Sequence, residues 1–145
     1  MKVQILDTPF DPLESIRLHQ EALRELHGSY GATAIFIGTM RDLNEGDSVR
    51  CMELEHYPAM TQGHLEKISA EAKEKWDIFD TLIVHRVGKL HPNDPIVLVA
   101  AWSAHRAEAF AACRYLIEEL KSRAPFWKKE TLEEGERWVE HNTPG

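Results

Sequence analysis

Apolar residues recur along this chain in two rhythms, one near helical period and one alternating, and the switches between them divide it into elements. Residues 11–26, DPLESIRLHQEALREL, place Leu13, Ile16, Leu23 and Leu26 near the 3.6-residue period of a helix. Asp11 suits the N-cap, Pro12 the first helical position, Glu14 a capping box, and Gly28 follows as a stop. The β-branched run GATAIFIG, residues 31–38, predicts a buried strand between glycines. RDLNEGDS, residues 41–48, predicts an exposed loop, and VRCMELEHY, residues 49–57, alternates like a strand with one wet face.

The second half repeats the scheme. Pro58 opens a helix reaching about Trp76, with Leu65, Ile68 and Ala72 turned inward. IFDTLIVHRV, residues 78–87, predicts a strand, LHPND a turn, and PIVLVAAWS, residues 95–103, a strand apolar on both faces. Ser103 can cap a third helix, HRAEAFAACRYLIEELKSR, whose Phe110, Cys113, Ile117 and Leu120 form its apolar stripe. Pro125 ends that helix, FWKKETL returns to strand-like alternation, and GERWVEH closes the chain. Helices and strands are interspersed, some strands follow one another directly, and no repeat or linker interrupts them. That pattern implies an α+β or mixed α/β fold in a single domain over residues 1–145.

Composition narrows the function. The chain has 145 residues, 43% hydrophobic and 28% charged, enough for one self-sufficient core. No apolar run approaches the roughly 20 residues that cross a bilayer. MKVQILDTPFDP has no basic stretch followed by an apolar one, so no secretory signal is expected. Cys51 and Cys113 are far apart and form no CxxC, which predicts two reduced thiols in a cytoplasmic protein. With 17 basic and 24 acidic residues, the net charge of −7 argues against nucleic acid or an anionic membrane as partner. GxGxxG, GxxxxGK[ST], HExxH and GxSxG are all missing. The eight histidines do not fall at zinc-ligand spacings, so neither metal nor cofactor is expected.

The informative feature is where the cations fall. Arg41 directly follows the first buried strand, after Thr39 and Met40, at a strand exit of the kind that contacts ligands. His105 and Arg106 open the third helix, where free N–H groups already favour an anion. Lys121 ends the same helix, and Lys128, Lys129 and Glu130 follow. If residues 126–131 are extended, Lys128 and Glu130 share a face, so Glu130 can hold the lysine or tune its pKa. Lys129 then points the other way. Each of these residues has a plainer reading as a solvated surface charge. His105/Arg106 and Lys121 are 15 to 16 residues apart, roughly 22–24 Å along a helix at 1.5 Å per residue. One small ligand cannot touch both ends. Either there are two sites, or a two-fold dimer brings one copy's His105 and Arg106 beside the other's Lys121.

Read in order, GATAIFIGTMRD, LEHYPAMT, HRVGKL, SAHRAEAF and LKSRAPFWKKE followed by GERWVE resemble the molybdopterin synthase large-subunit family from about residue 31 to residue 140. The resemblance implies a sulfurtransferase of molybdenum cofactor biosynthesis. Its substrate would be a cyclic pyranopterin monophosphate, converted to the dithiolene-bearing molybdopterin. The sulfur would arrive as a thiocarboxylate on the C-terminal Gly-Gly of a small ubiquitin-like subunit, within a heterotetramer built on a large-subunit homodimer. The implied fold is an α/β hammerhead with an added antiparallel β portion. Carried over by matching blocks, Lys121 and Lys128 are the catalytic candidates. Thr39, Met40, Arg41, His105, Arg106, Lys129 and Glu130 are the substrate-binding candidates. The competing reading is a non-enzymatic anion- or nucleotide-binding regulatory module that uses the same cations without any thiocarboxylated partner.

Overall fold

Asp80–Arg86 (β5) and Pro95–Ser103 (β7) are apolar on alternate residues of both faces, so they become the inner strands of a four-stranded sheet. Lys2–Leu6 (β1) pairs parallel with β5, and Ala32–Thr39 (β2) pairs antiparallel with β7, giving the order β1-β5-β7-β2. The computed structural model describes residues 1–44, 47–132 and 135–139. On one face Ile83, Val97, Val99 and Ala101 meet Leu65, Ile68 and Ala72 of Pro58–Lys75 (α2) and Ala109, Ala112, Cys113 and Leu116 of Arg106–Arg123 (α3). On the other, Leu82, Val84, Leu98, Ala100 and Trp102 are covered by Ile16 of Pro12–Ala22 (α1). The period-2 alternation of β5 and β7 thus divides their side chains between two cores.

A second sheet supplies the antiparallel portion. Asp47–His56 (β4) pairs with Leu43–Asn44 (β3), with Gly88–Leu90 (β6) and with Phe126–Leu132 (β8), and β8 pairs with Gly135–Trp138 (β9). Met40, Met52, Leu54, Val87 and Leu90 form its core, joined to the first by Ile5, Ile96 and Phe126. The fold is α+β, with helices and a mixed sheet at one end and an antiparallel sheet at the other.

The α1 cap forms as expected, Asp11 Oδ1 accepting from the Leu13 and Glu14 amides at 3.0 and 3.4 Å. Glu14 does not close a capping box; its carboxylate is taken by Arg17 at 2.6 Å. Other expectations change. β1 has no counterpart in the sequence reading. The expected loop at 41–48 contains a hairpin, β3 pairing with the start of β4, with Glu45 and Gly46 outside the described residues. Glu140 and His141 of the closing segment also lie outside the described residues, and its earlier part is β9. GATAIFIG is a strand but not a buried one. It is the sheet's edge, and Ile35, Phe36 and Ile37 are 43%, 38% and 37% exposed. Leu13 and Phe110, both assigned inward, are exposed. Helical period alone cannot say how wide a stripe the neighbouring elements cover.

Gly31 has a steric reason. A Cβ there would stand 2.5 Å from the Ala104 carbonyl oxygen, where the chain leaves β7 for α3. No helix among the described residues is long and apolar enough to cross a membrane.

Candidate active site

The C-terminal end of α3, the start of β8 and the end of β5 converge on a narrow cleft of about 50 Å³ lined by Leu54, His85, Ile96, Leu120, Lys121, Ala124, Phe126 and Lys128. Ala124 and Pro125 turn the chain through extended backbone, which brings Lys128 back beside Lys121. The two amines share a hydrogen bond. Two ammonium groups would repel, and their apolar surroundings penalise charge, so both lysines are held below the ordinary range. Burial, followed by the charge of Lys121 and the contact with it, pushes Lys128 down to about 8, with Glu130 opposing. Lys121 is lowered by burial and by the Arg41 guanidinium, while its contact with Lys128 and the charge of Glu118 work the other way. The proton they share therefore favours Lys121, and Lys128 is the amine that can become neutral.

A wider cleft of about 530 Å³ is lined by Thr39, Met40, Arg41, Asp42, Pro92 and Asn93, and its Arg41 is near enough to Lys121 for its charge to be felt there. Its wall is built by a turn in which Asn93 takes a left-handed φ of 74°, donates its amide to the Met40 carbonyl at 2.8 Å, and precedes Asp94, whose carbonyl accepts from Met40 at 2.9 Å. Met40 itself is 5% exposed and also packs into the core of the second sheet.

The structure thus gathers Thr39, Met40, Arg41, Lys121 and Lys128 into adjoining clefts of one chain. It does not bring His105 and Arg106 to them. Both are exposed at the other end of α3, where the His105 amide donates to Ser103 Oγ at 3.3 Å. Lys129 sits on the opposite face of β8 from Lys128, paired with Glu136 at 2.9 Å and 5.7 Å over the Trp138 ring. Glu130 shares the face of Lys128 and is buried; its Oε1 accepts from Arg137 Nε at 3.0 Å, and its charge works to raise Lys128. His85 and Phe126 line the cleft although sequence reasoning assigned neither. A histidine directly after the apolar run Leu82–Val84 was the available signal.

Comparison with known proteins gives the same direction. A family model described as MoaE protein matches residues 7–123. A molybdopterin synthase catalytic subunit from Ralstonia nicotianae is 56% identical over 119 residues, 82% of this chain and 68% of the relative. One from Pasteurella multocida is 48% identical over 140 residues, covering 97% of this chain and 90% of the relative. A solved molybdopterin biosynthesis MoaE protein from Burkholderia ambifaria superposes with a TM-score of 0.79 at 47% identity, over 99% of this chain and 92% of that one. With matches of this extent over the segments that build both clefts, the chain belongs to the MoaE protein family.

Proposed function

We propose that this chain is the catalytic subunit of a molybdopterin synthase, moving sulfur from the thiocarboxylated Gly-Gly end of a small ubiquitin-like subunit onto a cyclic pyranopterin monophosphate. The observation that carries this reading is the Lys121–Lys128 pair, set in an apolar cleft beside Arg41 in a protein of net charge −7. Concentrating cations against the global field makes sense where the guests are anions. A thiocarboxylate and a phosphate are such guests. Lys121, favoured to keep its proton, holds the thiocarboxylate end and stabilises charge as the carbonyl is attacked. Lys128, shared between its charged and neutral forms near pH 8, is suited to accept and return a proton. Arg41 grips the precursor from the adjoining cleft. Two free thiols, Cys51 and Cys113, suit work in the reducing cytoplasm.

His105 and Arg106 enter through a second copy. β2 is an open strand edge exposing Ile35, Phe36 and Ile37, a surface that invites pairing. α3 packs over β2 and β7 and runs in the direction of β2. Two-fold pairing of β2 edges would lay two α3 helices side by side and antiparallel, setting one copy's His105 and Arg106 near the other's Lys121. The active assembly is then a homodimer carrying one small subunit at each end.

Incubating the purified chain with a thiocarboxylated small subunit and the precursor tests the reading. A dithiolene product is expected, and Lys121→Ala should abolish it. No product from the unaltered chain, or near-normal product from the variant, would refute the assignment.

A further inference from the structure

His85 occupies the cleft without a role in the scheme above. Its Nδ1 lies 2.6 Å from the Arg86 carbonyl oxygen. A carbonyl only accepts, so Nδ1 carries the ring proton. The ring lies flat on Phe126, centroids 4.0 Å apart and planes 13° from parallel, which fixes its orientation as well as its tautomer. Facing it are Lys121 from α3, Lys128 from β8 and His56 from β4, and burial together with these groups pushes the imidazolium down to about 3. The lysines in turn feel Arg41, Glu118 and Glu130. At any working pH Nε2 is therefore a bare lone pair in a cleft whose other polar side chains are two lysines.

That combination describes a guest. The lysines call for a negative terminus, but a lone-pair acceptor beside them is useless to an anion. It requires an N–H donor close behind the charge, or binding would leave a polar group stranded. An extended peptide ending in a carboxylate or thiocarboxylate has such a donor, the amide N–H of its last residue, two bonds from the terminal carbon. The space between the walls of Leu54, Ile96, Leu120 and Phe126 is only about 50 Å³, which favours a residue without a side chain. We propose that His85 is a specificity-determining residue that accepts, at Nε2, a hydrogen bond from the last peptide N–H of the incoming tail while Lys121 and Lys128 hold its terminal charge. The inference deepens the synthase reading and rests on it.

The test measures the Kd of the unaltered enzyme and of His85→Phe for semi-synthetic small subunits ending in Gly-Gly or in glycyl-N-methylglycine. Phenylalanine keeps the volume and the stack but has no lone pair; N-methylation removes the donor. Each change alone should weaken binding about tenfold, the size expected when a buried donor and acceptor are parted, and both together should weaken it no further. The KM for the pterin precursor should stay unchanged. Additive losses, no loss from either change, or a variant altered only in precursor KM would overturn the assignment. If His85→Phe fails to fold in a thermal melt, the N-methylated tail on the unaltered enzyme decides, and undiminished affinity there overturns it. An unaltered enzyme that does not bind the Gly-Gly tail would sink the synthase reading itself.

Discussion

Removing Lys121 should make Lys128 a more ordinary lysine, by an amount the cleft bounds. A fall from 10.5 to about 8 corresponds to about 3 kcal/mol, at roughly 1.4 kcal/mol for each pKa unit. Burial is the largest contributor, and the charge and hydrogen bond of Lys121 come next. In Lys121→Met the side-chain volume is kept, so burial persists while the neighbouring charge goes. Lys128 should then recover roughly one pKa unit, about 1.4 kcal/mol, and still titrate below 10.5. The sign for stability follows. Because the folded value lies below the unfolded one, the unfolded chain binds the extra proton between about pH 8 and 10.5, and stability rises with pH across that window. The variant should show a shorter window and a smaller rise. Side-chain carbon and nitrogen NMR titration of lysine reads the pKa, and urea melts at successive pH values read the stability. A Lys128 that titrates near 10.5 in the unaltered protein, or identically with and without Lys121, would refute the account of the pair.

Two further outcomes are expected. Arg106→Ala should raise the precursor KM with little change in kcat, and an unaltered KM counts against its grip on phosphate; a monomeric active enzyme in sedimentation would remove the proposed second copy that places it. Asp80 is buried, which alone would raise its pKa, but His19 at 2.8 Å and the Met1 amine more than offset this and hold it at about 2. Its contribution, about 2 kcal/mol at roughly 1.4 kcal/mol per pKa unit, is present above the ordinary carboxylate value of 3.8 and is lost as pH falls through about 2. Asp80→Asn should therefore lower Tm at neutral pH and flatten the acid limb between pH 4 and 2, and a variant matching the original in both melts would refute this.

Elements long enough to show their period were legible in the sequence. α2, β5, β7 and α3 each bury one stripe or two faces against a neighbour, and the residues that do so repeat at 3.6 or 2. What escaped was set by neighbours. β1 is five residues whose pairing with β5 is parallel and distant in sequence. β2 has the composition of an inner strand, but lies at the sheet's edge because β7 pairs with it on one side alone. The site divided in the same way. Lys121 and Lys128 could be singled out because cations at element ends are conspicuous. The pairing of Glu130 with Arg137 needs the β8–β9 register, Glu130 opposite Arg137, which seven residues of chain separation do not disclose.

That register bears on how the cleft stays cationic. Glu130 stands on the Lys128 face of β8 and, unpaired, would neutralise the lysine and close the cleft to an anion. Arg137 engages that carboxylate at 3.0 Å, and Glu130 only partly offsets the lowering of Lys128. His85 completes the arrangement from β5, since a ring fixed as a neutral acceptor adds no third charge to the two amines it borders. Near pH 8 one of those amines can lose its proton, which an isolated lysine would not do until about pH 10. The apolar walls therefore do two things at once. They deny the cleft by itself a full complement of charge, and they make an ammonium there more receptive to an anion that brings its own compensation.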